Sequence, residues 1–359
     1  MRIFRCACIA AFMAAVFFPF LQMHFHFFPQ VQYTENRELA KAPQWRLNAL
    51  RRFPADCENY VGDNFGLRPE LIRWNSILKV KLLGVSPVQS VIMGKESWLF
   101  YCSEALDDGN TINDFRGAIP LSRSELDGLQ RKLEDNAREF ERMNIPYLVV
   151  IVPNKNTVYD EFLPDSIRKF RPATRLDQLI AHLREHSSAR VLDLRDVFRR
   201  ARGGHPLYWK TDSHWNTYGA YLGYAEIVRT LSARLPTLHP VSINGGQVEV
   251  KRSPLGRDLA QMLSMQDLLP EENETEFSLS ATLDATPPRT LIFRHDSFGD
   301  NLYPYLRNHF QKIVNLAPFS NYKFDAIREE RPAAALHVFA ERYITQAIRD
   351  DFFHREGKI

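Results

Sequence analysis

Leu291 to Asp300, LIFRHDSFGD, is an apolar run that breaks abruptly at Ser297 and gives way to a helical pattern at Phe298. A short apolar run closed by polar residues reads as a buried strand, here Thr290 to Phe293, followed by a helix over Phe298 to Phe310. In open α/β sheets reactive residues gather beyond the carboxyl ends of the strands, and Ser297 stands at such an end. The strand-to-helix turn also presents main-chain amides, with that of Ser297 first in line to hold an oxyanion.

The same alternation recurs outward from this stretch. Tyr147 to Val152 is a run of apolar residues that stops at Pro153, as expected of a strand buried on both faces of a parallel sheet. Arg190 to Leu194, Lys312 to Leu316 and Ala333 to Phe339 are read as further strands. Ser122 opens a helix whose apolar positions Leu126, Leu129, Leu133, Ala137 and Phe140 follow helical spacing to a stop near Asn144. Further helices are expected over Arg175 to Glu185, Val197 to Arg202 and Thr217 to Leu235. Alternation of this kind predicts a doubly wound, mostly parallel α/β sheet. Val91 to Tyr101, VIMGKESWLFY, reads as two short strands about a Gly-Lys-Glu-Ser turn, with Trp98 and Phe100 in the core. Between Pro236 and Pro288 the pattern weakens to one short helix, Gly256 to Leu263, and an acidic, polar stretch from Asp267 to Thr286. This is read as an insertion packed on the same domain.

Tyr208 to Gly219, YWKTDSHWNTYG, places an acid, an imidazole and aromatics together just before a helix. In an extended segment Asp212 and His214 leave the backbone on the same face, with Ser213 pointing away, so the carboxylate reaches a ring nitrogen and fixes the imidazole tautomer. A base held in this way needs a nucleophile, and Ser297 is the candidate. The proposed constellation is Ser297, His214 and Asp212. The plainer readings are a polar turn at Asp212 and a helix cap at Ser297. Asn154 and Lys155, at the end of the Tyr147 strand, are candidates for a second oxyanion donor and for contact with an anionic sugar. Lys155 is alternatively a solvated surface lysine. Arg294 is a further candidate for contact with the oxyanion or substrate; it and Asp296 flank the serine, and a mutual ion pair is the plainer reading.

The chain has 359 residues, 45% of them hydrophobic, enough to bury a substantial core. A net charge of +3, with no long basic run, sets nucleic acid aside. No HExxH or Cys/His spacing supports a metal, and no glycine-rich phosphate loop indicates a nucleotide cofactor. Arg2 and Arg5 precede an apolar stretch from Cys6 to Phe28, whose uninterrupted part ends at Leu21. It is read as an uncleaved anchor with its amino end in the cytoplasm and the body in the periplasm, a cleaved signal peptide being the alternative. Cys57 and Cys102 are left as a pair that an oxidising compartment would allow to join, or as two unrelated thiols. The expected organisation is an anchor (1–29), lead-in helices (30–90) containing one begun by Pro69, a catalytic domain (91–345, with 236–289 inserted) and a tail (346–359).

DSHW at Asp212 to Trp215, DSFG at Asp296 to Gly299, GKESWLFY at Gly94 to Tyr101 and VVIVPNKNTVY at Val149 to Tyr159 resemble the SGNH-hydrolase-like domain of AlgJ/AlgX-type bacterial polysaccharide O-acetyltransferases. ENR at Glu35 to Arg37 and DNFGLR at Asp63 to Arg68 add to the likeness, which covers about residues 31 to 345. In that family Asp and His precede Ser, the reverse of ordinary SGNH esterases, and this chain has that permuted order. The resemblance implies acetyl transfer through an acyl-enzyme on Ser297, an exported polysaccharide as acceptor, and a membrane partner of the MBOAT class as acetyl donor. A carbohydrate acetylesterase would use the same triad. A non-catalytic subunit of an exopolysaccharide acetylation complex would keep the fold alone. The chain after the last strand is too short for the carbohydrate-binding module that some family members carry.

Overall fold

The computed structural model describes residues 2–25, 27, 38–46, 50–103, 109–280 and 289–348. Glu35 to Arg37, the end of the polar stretch beyond Ser280 and the tail beyond Ile348 lie outside the described residues. The chain forms two compact units, one of Met1–Val88 with Ala260–Leu268, the other of Gln89–Leu259 with Leu269–Ile359.

The second unit contains nine strands among its described residues: β1 (Val91–Met93), β2 (Leu99–Tyr101), β3 (Tyr147–Val152), β4 (Val191–Asp193), β5 (Glu249–Ser253), β6 (Glu271–Glu276), β7 (Thr290–His295), β8 (Lys312–Leu316) and β9 (Ala334–Ala340). Five of them form one sheet in the order β4-β3-β9-β7-β8, and every pairing in it is parallel. This is the doubly wound α/β architecture expected from the sequence. Alternate residues of one strand serve opposite faces. Leu148, Val150 and Val152 pack with the helix Thr217–Ser232, while Val149 and Ile151 pack with Arg123–Arg142 and Arg175–His186. Those last two helices start at capping boxes, Ser122 with Glu125 and Thr174 with Asp177, each satisfying main-chain donors that a helix leaves over. Trp98 and Phe100 are buried in the core as expected.

Because β9, the last strand in sequence, lies between β3 and β7, the winding changes direction at the middle of the sheet. The ends of β3, β9 and β7 therefore open onto a common crevice. Two carboxylates tie these ends together. Asp296, after β7, accepts the N–H of Ala340 at 2.7 Å, and Glu341, after β9, accepts the N–H of Asn154 at 2.9 Å.

Two local expectations are corrected. The helix expected over Phe298 to Phe310 is a pair of single turns, Ser297–Asp300 and Tyr303–Leu306, since Pro304 lacks the N–H that a continuous helix would use. The polar stretch after Asp267 contains β6, paired antiparallel with β5. Its inward residues are Glu271, Asn273 and Thr275, so a search for apolar alternation passes over it.

Gly219 packs the helix Thr217–Ser232 against the preceding loop so closely that a Cβ there would lie 2.2 Å from the Leu207 carbonyl oxygen. Helix propensity alone favours alanine over glycine by roughly 1 kcal/mol. The clash with main chain reverses that sign. Gly219→Ala is expected to lower the melting temperature, whereas Gly128→Ala, with nothing within 4 Å of its added Cβ, should hold or raise it. Calorimetry of the two variants side by side checks this.

Candidate active site

Asp212, His214 and Ser297 meet at the carboxyl edge of the sheet. Asp212 Oδ1 accepts from His214 Nδ1 at 2.7 Å, and His214 Nε2 faces Ser297 Oγ at 2.8 Å. With Nδ1–H given to the carboxylate, Nε2 is the acceptor for the serine hydroxyl proton. Ser297 is exposed, His214 half-buried and Asp212 buried, so accessibility falls from the hydroxyl to the acid.

The expected route to this pairing is corrected. Residues 210–214 form successive bends, not an extended segment. Asp212 Oδ1 also accepts the main-chain N–H of His214 at 2.9 Å, so the carboxylate closes its own turn around the base. Ser213 does not point away: its Oγ lies 3.3 Å from His214 Nδ1 and donates to Asp258 Oδ2 at 2.6 Å. Burial alone would raise the Asp212 pKa, but the hydrogen bonds from His214 hold it below the ordinary carboxylate value.

An irregular loop keeps this geometry only if its main-chain groups are bonded elsewhere. Lys155 Nζ donates to the carbonyls of Trp209, Lys210 and Asp212 at 3.0, 3.1 and 2.5 Å. Glu271 on β6 accepts the N–H groups of Lys210 and Thr211, both at 2.8 Å, and the Thr211 hydroxyl at 2.6 Å. Asp258 Oδ1 accepts the N–H of Ser213 at 2.8 Å. Trp215, fully buried, joins the two halves of the site by donating Nε1–H to the carbonyl of Phe298 at 3.1 Å.

The remaining candidates fare differently. Lys155 is 4% exposed, lies 5.6 and 5.4 Å from the ring centres of Trp98 and Phe100, and spends its ammonium on the loop, so it is neither solvated nor open to a sugar. Burial lowers its pKa to about 8. Arg294 does not pair with Asp296. It donates to the carbonyls of Pro318 and Ala347 at 2.9 and 3.0 Å, and Asp296 accepts from Phe298 and Ala340. Asn154 keeps only its carboxamide for a ligand, because its main-chain N–H belongs to Glu341. Ser297 is the first residue of its helical turn, so its N–H has no acceptor within that turn. Cys6 and Cys8 are exposed, and Cys57 and Cys102 are half-buried.

Sequence reasoning missed Asp258, Glu271, Glu341 and Arg342. The Arg342 guanidinium stacks 5.4 Å from the Phe298 ring centre, beside the serine, and 4.8 Å from that of Tyr343. Donor atoms of Asp212, His214 and Asp258 lie within 4.8 Å of one another, the spacing of a cation site. A metal on Nδ1 would have to displace the proton that Asp212 holds there. A cavity of about 470 Å³ lined by Glu134, Arg138, Arg190 and Arg234 includes Pro146 and Tyr147, at the start of β3, and is therefore at the other end of the sheet from the serine.

Residues 91–320 match the family profile described as the SGNH hydrolase-like domain of acetyltransferase AlgX. The chain belongs to that family. It is 24% identical over 228 residues to the probable alginate O-acetylase AlgJ of Pseudomonas aeruginosa, an alignment covering 60% of this chain and 53% of that protein. The chain thus spans about half the length of that curated relative, and 33% of the Azotobacter vinelandii protein of the same name, to which it is 23% identical over 39% of its own length. Among solved structures, Bacillus cereus PatB1 superposes with a TM-score of 0.50 at 14% identity, covering 71% of this chain and 96% of that one. The O-acetyltransferase domain of Pseudomonas putida AlgJ gives 0.45 at 19% identity, covering 71% and 92%. The PatB1 likeness speaks for the fold alone.

Glu341 supplies a test of the strand-end ties. It is buried, which raises its pKa to about 7 with the charge of Asp114 adding to the effect, while the bonds from Thr157 and Asn154 oppose it. A folded-state pKa above the unfolded one means that the folded chain binds the extra proton between about pH 4.5 and 7. Stability from this group is full below that window and is lost as pH rises through it, by at most about 3 kcal/mol. Glu341→Gln is expected to remove this component, so the stability difference between variant and parent should change between pH 4.5 and 7 and stay flat above. Urea unfolding across that range reads it out.

Proposed function

We propose that the chain is an O-acetyltransferase that moves an acetyl group through Ser297 to a hydroxyl of an exported polysaccharide. What carries the reading is the unbroken hydrogen-bond line from Asp212 Oδ1 through His214 to an exposed Ser297 Oγ, in a chain of the AlgX-type family. A serine with its hydroxyl on an imidazole, and the imidazole on a carboxylate, is an activated nucleophile.

In the first half-reaction Nε2 takes the Oγ proton as Oγ bonds to the acetyl carbonyl carbon. The carbonyl electron pair moves onto oxygen, held by the N–H of Ser297 and the carboxamide of Asn154. When that pair returns, the donor group leaves with the proton from Nε2, and acetyl stays on Ser297. In the second half a sugar hydroxyl gives its proton to Nε2 and attacks the acetyl carbon. Collapse of the adduct restores the serine hydroxyl and releases the acetylated sugar. Asp212 keeps Nδ1–H in place and offsets the charge on the imidazolium, while Lys155 and Glu271 hold the loop still. Alginate is the polymer named in the curated relatives, and a polyhydroxylated, exported polysaccharide is the acceptor class proposed here. The donor proposed is an MBOAT-type membrane protein, and the location the periplasmic face of the inner membrane.

The test uses a chromogenic acetyl ester with and without oligosaccharide acceptors. Acetylated oligosaccharide is the expected product. Release of acetate alone, unchanged by acceptor, would make the chain an esterase. Ser297→Ala and His214→Ala should each abolish transfer, and the double variant should be hardly worse, since the residues act as a unit. Asp212→Asn should cost on the order of 10⁴-fold, the loss known for the same exchange in a serine protease. Parental activity in Ser297→Ala would mean that the serine, which follows the Asp296 cap, is not the nucleophile, and a parent without transfer or hydrolysis would leave the chain as a non-catalytic subunit.

Asp258 is a positioning residue in this scheme: it holds Ser213 by two bonds and its Oδ2 lies 3.7 Å from His214 Nδ1. Asp258→Asn keeps an acceptor for the Ser213 N–H but removes a charge facing the imidazole. The expected loss is on the order of 10-fold in kcat with KM and melting temperature held, because the base is presented less firmly to Ser297. A lowered melting temperature with kcat unchanged would make Asp258 purely structural.

A further inference from the structure

In the first compact unit, one helix presents its faces the wrong way round for water. The helix Arg68–Ile77 continues into a wider turn over Leu78–Leu82. Leu71, Trp74, Leu78 and Leu82 recur at helical spacing and are 54, 67, 53 and 73% exposed. On the other side, Arg73 clamps Asp267 with two bonds of 2.7 and 2.6 Å and reaches the Ser264 carbonyl at 3.1 Å, and Ser76 is 2% exposed. A helix on a water-facing surface buries its apolar stripe and exposes its polar one. Here the polar face is docked and the apolar face is bare.

Three further features say what covers it. The same unit contains the helix Arg2–Phe25, in which Ile3–Met23 is long and apolar enough to cross a membrane, with a mean hydropathy of 2.1 and 6% of it buried. Gly66, just before the striped helix, lies so near the end of that span that a Cβ on it would fall 2.2 Å from the Pro19 carbonyl and 2.6 Å from the Met23 nitrogen. The stripe therefore starts beside the carboxyl end of the span. Trp74 on the stripe and Lys79 and Lys81 along its edge are the residue types that settle at the boundary between hydrocarbon and headgroups.

We propose that the Leu71, Trp74, Leu78 and Leu82 face is a membrane-docking surface that lies in the interface of the bilayer entered by Ile3–Met23, with the two lysines among anionic headgroups. This rests on the reading of the first helix as an anchor and adds a second, lateral contact with the same leaflet. A single span leaves a protein free to tilt and swing. A second contact in the headgroup layer fixes the orientation of the unit relative to the membrane plane.

The experiment uses the full chain reconstituted in vesicles of phosphatidylethanolamine and phosphatidylglycerol. Flotation reports the anchor. Quenching of tryptophan emission by acyl-brominated lipid and by aqueous acrylamide reports the stripe, as the difference between the parent and Trp74→Phe. Parent and variant should both float, and the Trp74 component should be quenched by brominated lipid and spared by acrylamide. In Leu71→Ser/Leu78→Ser the chain should still float, with Trp74 now open to acrylamide. Flotation with Trp74 quenched by acrylamide in the parent would overturn the docking surface while leaving the anchor intact. Shielding from both quenchers would place a protein partner on the stripe and overturn it equally. A parent that does not float refutes the anchor, and the docking surface with it.

Discussion

The site depends on a buried ammonium. Lys155 reaches from the end of β3 to the Trp209 to Asp212 turn and collects three carbonyls, of which only that of Lys210 also takes a strand N–H, from Leu99 on β2 at 2.9 Å. Those carbonyls face a positive charge in a dry place, where such bonds are stronger than neutral ones. The cost is desolvation, visible in the pKa drawn down to about 8, which still leaves the amine mostly protonated at neutral pH. The charges of Asp258, Asp212 and Glu271 repay part of that cost. Lys155 also favours the ionised Asp212 on which the imidazole hangs. A cation that looks in sequence like a substrate contact is thus part of the frame.

Glu271 plays the opposite sign on the same stretch, accepting where Lys155 donates. Together they bond a stretch that has no secondary structure of its own. Asp258 and Asn273 extend the same scheme, the latter donating to the Tyr208 carbonyl at 3.1 Å while Asn216 donates to the Asn273 carbonyl at 3.0 Å. Glu271 and Asn273 sit on β6, and Asp258 opens the short helix Asp258–Met262, so parts of the region that reads as an insertion supply the bonds that hold the loop of Asp212 and His214. Removing such a partner would leave buried main-chain donors unsatisfied, at about 1–3 kcal/mol each.

Much of this was legible in the residues. β3 and β8 fall where their apolar runs place them, and the Ser122 helix starts at its cap, because burial on a parallel sheet writes itself as continuous hydrophobicity. The meeting of His214 with Ser297 was legible from chemistry: a paired imidazole and a serine at a strand end make sense together. What escaped was polar and distant in sequence. β6 carries Glu, Asn and Thr inward, which no hydrophobic period reveals. Asp258, Glu341 and Arg342 look like ordinary surface charges until the fold brings them in. The fates of Lys155 and Arg294 were unreadable for a related reason: each finds its partners among carbonyls, which every sequence has everywhere.

The order in which Asp212, His214 and Ser297 occur along the chain follows from where the sheet accepts them. Ser297 must follow a central strand directly, since its position is fixed by Asp296, which caps the turn through the Phe298 N–H at 3.0 Å and holds β9 through Ala340. Gly299 completes the constraint: a Cβ there would sit 2.4 Å from the His295 side chain, so only glycine lets the turn fold back on its own strand. Asp212 and His214 do not follow a strand directly. They ride on a loop held by side-chain bonds and by the Trp215 indole on the Phe298 carbonyl. A loop of that kind can be supplied from any point in the chain that reaches the same rim, before the serine or after it. The geometry of the rim, and not the order of the chain, is what the chemistry requires.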